Sequence, residues 1–278
     1  GNGDITVSDP ITWSGNTTLT LDALNDIIIN ADINGTAGSL ILTAGNAISI
    51  NNPIILDGSF SATGDTLNLA GNITTGGNQT YSLSNIINLI ATVQLQSIIG
   101  DIVIANGTSG LDGGGFDLTI DTVGALSNSS IDTSISNLNQ LIKNGAGNLS
   151  LTVANTYTGT TVISAGAVIV FDNNSLGADG ADLVIGSNGT LVLGNFSLTL
   201  QQIMLLNNGA TISNANDFSS HSLAGAQTWL GTINLNVSTG AQIYFDGVVT
   251  GGTTVTINKA GAGDLIFTQS NTFNGAAN

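Results

Sequence analysis

Residues 143–166 read KNGAGNLSLTVANTYTGTTVISAG, and residues 259–278 read KAGAGDLIFTQSNTFNGAAN. Each copy opens on a lysine and passes through Gly-Ala-Gly. It then alternates at Leu149 and Leu151, or Leu265 and Phe267, and carries Asn155-Thr156-Tyr157 or Asn271-Thr272-Phe273 before Gly159 or Gly275. A helix cannot carry this much glycine with strict two-residue alternation, so the unit reads as turn, strand, turn, strand. Leu149, Leu151, Leu265 and Phe267 are then core-facing. Tyr157 and Phe273 share one position, where the ring is expected to lie across a corner. Each lysine, just before a turn, is expected to find an Asp or backbone carbonyls, an exposed contact worth at most about 1 kcal/mol.

Composition agrees with this reading. The chain has 37 Gly, 2 Pro and no Cys; Arg and Glu are absent, and only 7% of residues are charged. With 41% hydrophobic residues it can build a core, unlike a disordered chain. Glu, Arg and Lys, all good helix formers, are missing or rare, while Thr, Val, Ile, Asn and Gly abound, which gives an all-β chain. The net charge of −16 leaves no basic footprint for nucleic acid, an anionic membrane or a heparin-like partner. No apolar run is long enough to span a bilayer, and no signal-like segment opens the sequence. Lack of cysteine suits export through a narrow pore, where disulfides would obstruct passage.

From the N-terminus the alternating runs DITV, ITW and TLTL are followed by DIIIN, ADIN and SLIL, so three short strands make one unit. Ile11, Ile33, Ile54 and Ile73 stand at matching positions, spaced by roughly 19–22 residues, within the range of solenoid repeats. The fold expected is a right-handed parallel β-helix of about thirteen coils, each of roughly 19–22 residues, at about 4.8 Å per coil. Gly and Asn mark the corners, because corners need left-handed backbone. One segment, 1–278, is expected: regular coils over 1–75, irregular coils with longer loops over 76–142, and the quoted repeats over 143–278.

On those residues the second half resembles the autotransporter-associated β-strand repeat, whose pattern is K-x-G-A-G-x-L-x-L-x-x-x-N-x-Y-x-G followed by T-x-V-x-x-G. Residues 143–166 follow it nearly throughout, and residues 259–275 follow it until the sequence given ends. The coils over 1–75, with ITWSGNTTLTLDALNDIIINADI, look like those of filamentous-haemagglutinin-type exoproteins of two-partner secretion. Both resemblances imply a right-handed β-helix on, or released from, a Gram-negative cell, acting as passenger or stalk. Neither pattern carries catalytic residues.

No catalytic, cofactor-binding or metal-binding residue is assigned. Arg, which related β-helical polysaccharide-active enzymes use, is absent, and both lysines lie inside repeats. His221, the only histidine, reads as an exposed loop residue rather than a base. Asp179 and Asp182 are the nearest paired acids, and a turn after Leu176-Gly177 accounts for them. Asp4, Asp26 and Asp65, with Asn46 between, precede equivalent strands and are expected to form a column at about 4.8 Å spacing. Like charges there repel by roughly 0.8 kcal/mol in water, which a divalent ion such as Ca2+ would relieve. The preferred reading is that each side chain bonds amides of its own turn. The run 113–117, Gly-Gly-Gly-Phe-Asp, is similar to the calcium-binding Gly-Gly-x-Gly-x-Asp nonapeptide, but it is one residue short and occurs once. Ca2+ is thus the single cofactor with any sequence pattern behind it. Asn-x-Ser/Thr sequons include Asn16, Asn34, Asn148 and Asn236. No steady Thr column marks an ice-binding face.

The expected role is mechanical and adhesive: a non-enzymatic stalk or passenger segment outside the cell, with a host, a neighbouring cell or copies of itself as partner. The alternative is a self-assembling subunit of an extracellular fibre. Aromatic residues, the usual anchors of binding faces, make up only 5%. Neither end reads as a cap, so both are expected to be covered by further coils or by another copy.

Overall fold

The computed structural model of the protein describes residues 3–106, 110–194, 197–252, 254–272 and 276–277. It is all-β, a parallel β-solenoid of about twelve turns, close to the thirteen expected. The chain divides into two compact units, one of Gly1–Asn139 with Gly145–Gly147, the other of Gln140–Asn144 with Asn148–Asn278.

In the first unit each coil lays down three strands, for example Ile27–Ile29, Ile33–Gly35 and Ser39–Ala44. Strands pair in parallel with their equivalents one coil on, so residues at equal positions stack into columns. Ile5, Ile27, Ile48, Leu67 and Ile87 form one such column. Ile11, Ile33, Ile54 and Ile73, matched by spacing in the sequence, form another and continue into Leu95 and Ile120. Period-two alternation turns these side chains inward, and from Ile27 to Ile120 they are fully buried. Packing compensates along a column. Ala62 stands between Leu42 and Tyr81, and the freed space receives Phe60 and Tyr81, ring centroids 5.6 Å apart.

Over residues 76–139 the three-strand register runs on through Gln79–Leu89, Val93–Ser97, Ile102–Asn106, Gly110–Asp112, Asp117–Thr122 and Asn128–Ile131. Departures from it sit at corners, such as the register shift between Leu83 and Ile86.

In the second unit, strand Gln140–Asn144 and its equivalents carry the inward column Lys143, Ile163, Ile185, Leu206 and Trp229. The row beginning at Asn148–Leu151 carries the column Leu149, Val168, Leu191, Ile212, Leu235 and Lys259. A third row begins at Thr199–Leu200 and runs through Ser220–Leu223 and Gln242–Phe245 to Asp264–Phe267. Before it starts, two stacked turns take its place. Asn155 donates from Nδ2 to the carbonyl of Ser175 (2.5 Å), and Ala178 N donates to the carbonyl of Tyr157 (2.9 Å).

The two sequence copies therefore stand on different faces. Lys143 belongs to one row and Lys259 to the next, so the repeat is displaced by one strand position around the coil. Leu149 and Leu151 are buried as expected. Leu265 and Phe267 are only half-buried, since no further described strand stacks on them. Phe267 still packs at 4.9 Å against Phe245 and at 6.0 Å against Trp229.

Candidate adhesive surface

The polar residues singled out in the sequence serve the coil itself. Lys143 is fully buried, and its ammonium donates to the carbonyls of Asn144 and Ala165. The carbonyl partners agree with the expectation, while the exposed setting does not hold for this residue. Strand alternation puts Lys143 on the same face as Leu141. Lys259 is half-buried, with its ammonium 2.6 Å from the carbonyl oxygen of Gly261.

His221 corrects the sequence reading outright. It is no loop residue: it lies in strand Ser220–Leu223, 1% exposed, in register with Ile243 and on the same face as Leu223. Its Nδ1 accepts the Leu198 amide at 3.3 Å, and burial pushes the imidazole down to about 4.

Asp4 and Asp26 cap amides of the next coil rather than of their own turn. Asp4 Oδ1 accepts Asn25 Nδ2 (2.6 Å) and Asp26 N (3.2 Å). Asp26 Oδ1 accepts Asn46 Nδ2 (2.8 Å) and Ala47 N (3.0 Å). Asp65 Oδ1 accepts Ser84 Oγ at 2.9 Å. The register places Ala47, not Asn46, level with Asp26, so Asp4, Asp26, Asn46 and Asp65 do not share one column. In the run 113–117, Asp117 Oδ1 accepts Asn139 Nδ2 at 2.6 Å, while Asp112 Oδ1 takes Gly114 N and Asn137 Nδ2, each at 3.0 Å. Among the described residues no group of three or more His, Cys, Asp or Glu converges to hold a metal ion. Asp179 lies within, and Asp182 directly after, a turn closed by Ala181 N donating to the carbonyl of Ala178 (3.1 Å). Of the sequons, Asn16 and Asn236 are exposed, and Asn34 and Asn148 half-buried. Tyr157 is buried with its hydroxyl 2.7 Å from Thr161 Oγ1, and its ring lies so close to Gly177 that a Cβ there would meet it at 2.9 Å. The matching Phe273 lies outside the described residues.

Among the described residues the most exposed large apolar side chains, Leu24, Ile99, Leu126 and Phe218, lie between strands, at corners. After Ser97 and Thr122, which are in register, Ile98, Ile99, Val123 and Leu126 project from the surface, Ile99 78% and Leu126 93% exposed. The backbone beneath is fixed coil to coil. Ile98 N, Ile99 N and Val123 N donate to the carbonyls of Thr75, Gly76 and Ser97, at 2.9, 3.0 and 3.0 Å. Ser97 Oγ donates to the Gly77 carbonyl and accepts Gly100 N, both at 2.9 Å. Four aliphatic side chains are thus held at one corner of a unit whose only charges in sequence are Asp. Contiguous exposed apolar groups on a rigid backbone mark contact surfaces. Sequence reasoning missed them because Ile98 and Ile99 lie a whole coil away from Val123 and Leu126 along the chain and meet them only through the register.

Comparison with known proteins bears on the motif that frames the second unit. Residues 141–170 and 257–278 match the model of the passenger-associated-transport-repeat. The two matched stretches contain the two sequence copies that begin at Lys143 and Lys259. It is also 32% identical over 149 residues to the adhesin BmaC autotransporter of Brucella suis biovar 1 (strain 1330), a match covering 53% of this chain and 4% of that protein. The chain thus spans a small part of its relative. No solved structure matches. The likeness of the N-terminal coils to haemagglutinin-type exoproteins rests on the sequence pattern alone.

Proposed function

We propose that this chain is a rigid, non-enzymatic stretch of a secreted passenger displayed on a Gram-negative cell surface, and that it contributes to adhesion through the corner of Ile98, Ile99, Val123 and Leu126. The observation that carries the reading is the passenger repeat built into the coil at Lys143 and again at Lys259, beside the likeness to an autotransporter adhesin. A solenoid suits this task, because its stability accrues coil by coil while its corners stay free to vary. Polar side chains such as Asp26 and Asp65 are drawn into coil-to-coil hydrogen bonds, while the exposed apolar corner offers side chains for contact.

The test is attachment of the purified chain to cultured host cells and to matrix-coated surfaces, against the double variant Ile99→Asp with Leu126→Asp. Both positions face solvent, so the variant is expected to melt with the wild type and to lose attachment. Equal attachment by both proteins, or none by either, would overturn the reading. Concentration-dependent filaments in sedimentation would favour the fibre instead.

A further inference from the structure

We infer that the outer face of the strand row beginning at Gln140–Asn144, in the second unit, is a contact surface between two copies of this chain laid side by side. This contact is distinct from end-to-end stacking and from the apolar corner of the first unit. Along the row the strands read Leu141-Ile142, Val162-Ile163, Leu183-Val184-Ile185 and Ile203-Met204-Leu205-Leu206. Continuous apolar runs of this kind belong to parallel strands buried on both faces, whereas a strand with one wet face alternates. Leu141, Ile163, Leu183, Ile185, Met204 and Leu206 fill the inside. The others point outward, half-buried or exposed.

Register gathers them into one patch. Ile142, Val162, Val184 and Leu205 stand in a single outward column, which Thr228 and Thr250 continue. Beside it Ile203 is 51% exposed, and Ala226 and Val248, just ahead of the paired Gln227 and Val249, follow it coil by coil. The hydroxyls of Thr228 and Thr250 lie 3.3 Å apart, and Thr250 Oγ1 donates to the Gln227 carbonyl (3.1 Å), so covering them strands no polar group. Asp182 is the one charge among the outward residues of these strands. An outward column of the first unit reads otherwise: Thr12, Asn34, Ile55, Thr74, Gln96 and Asp121, with Gln96 Nε2 donating to the Asp121 carboxylate at 2.7 Å.

Charge and shape select a second copy as the occupant. With a net charge of −16, two copies repel over most of their surfaces and approach best where Asp is scarce, while a basic partner would meet a single carboxylate here. The patch is also self-complementary. A groove of about 300 Å³ lies among Thr160, Val184, Ile203 and Leu205, and Ile203 projects at its rim. Under a two-fold axis the Ile203 of each copy enters the groove of the other, an isologous contact that closes at the dimer. From Ile142 to Val248 the patch spans about 24 Å along the stack and about 13 Å across it, on the order of 300 Å² per copy. A stable dimer buries about 800 Å² a side, so this pairing is weak and reversible.

Sedimentation equilibrium of the full chain tests the inference. The wild type is expected to pass reversibly from monomer to dimer between about 10 µM and about 1 mM, and added salt to favour the dimer by screening the acidic copies from each other. Ile203→Asp and Val248→Asp both lie at solvent-facing positions and are expected to melt with the wild type. Each should weaken pairing about ten-fold or more, since it sets carboxylates against an apolar face. The double variant Ile99→Asp with Leu126→Asp should pair as the wild type does, which reads this contact apart from the adhesive corner. Any of these results would overturn the inference: a wild type still monomeric at the highest concentration, pairing unchanged in both Ile203→Asp and Val248→Asp, pairing lost in the corner variant, dimers that loosen with salt, or masses that grow past the dimer as end-to-end filaments would.

Discussion

Lys143 stands in register with Ile163 at the head of a core column, fully buried, with its ammonium on the carbonyls of Asn144 and Ala165. Lys259 holds the same motif position in a neighbouring row, yet stays half-buried. A buried ammonium is tolerated only when its protons are taken up, and breaking such an arrangement costs about 3–5 kcal/mol. Lys143→Glu would aim a carboxylate at carbonyl oxygens. It is expected to lower the melting temperature by on the order of 10 °C, whereas Lys259→Glu, at a partly solvated site, should cost about 1 kcal/mol or less. Equal melting of the two variants would contradict the burial of Lys143.

Proteolysis reads the same asymmetry. Lysine occurs only at 143 and 259 and arginine not at all, so trypsin can cut the unfolded chain at no more than two places. In the native protein Lys143 should be refractory and Lys259 the first site to yield. A native digest that cuts after Lys143 at the unfolded rate would be inconsistent with the coil described.

The coil was readable because its period is local: three strands, three corners and an isoleucine recurring once per coil announce stacked columns, and Ile11, Ile33, Ile54 and Ile73 do stack. The burial of Lys143 and His221 was equally present in the alternation, since Leu141 with Lys143 and His221 with Leu223 are next-but-one neighbours on a strand. Residue type was allowed to outweigh position. The exposed corners could not be read so simply. Ile98 meets Val123, and Phe218 meets Gly240, through inter-coil register that loop lengths shift from one coil to the next.

The Asp residues give a test that separates capping from metal binding. Asp26 accepts Asn46 Nδ2 and Ala47 N through one oxygen, Oδ1, and a side-chain amide oxygen can do the same. Asp26→Asn should therefore cost little, and Asp26→Ala about 1–2 kcal/mol for the amides left without an acceptor. Millimolar Ca2+ or a chelator should leave the denaturation midpoint of the wild type unmoved. A midpoint that rises with Ca2+ and loses this response in Asp26→Asn would assign the carboxylates to a metal after all.

Leu151 tests the core assignment directly. It is buried in register with Val170, in a column that continues to Leu193. Leu151→Ala should cost about 2–5 kcal/mol through lost contacts and a cavity, and Leu151→Asp more, since nothing apolar there can pair a carboxylate. Unchanged melting curves for both variants would sink the assignment.

His221 makes stability depend on pH over a defined window. Burial holds the folded imidazole near 4, below its ordinary value of 6.5, because the charged form would lose its hydration among Leu198, Leu223 and Ile243. Between those two values the unfolded chain binds the proton and the folded chain does not, so stability rises with pH across the window. The contribution is complete above about 6.5 and is lost as pH falls toward 4. Its size is at most roughly 3–4 kcal/mol at about 1.4 kcal/mol per unit, and less to the extent that solvent screens the ring. His221→Leu keeps an apolar side chain in the column but leaves the Leu198 amide without its acceptor, a cost of about 1–3 kcal/mol at neutral pH. Its denaturation midpoint should then stay nearly flat from pH 7 to 5, where the wild type declines steadily. Parallel declines in the two proteins would place the pH dependence elsewhere and the imidazole in contact with water.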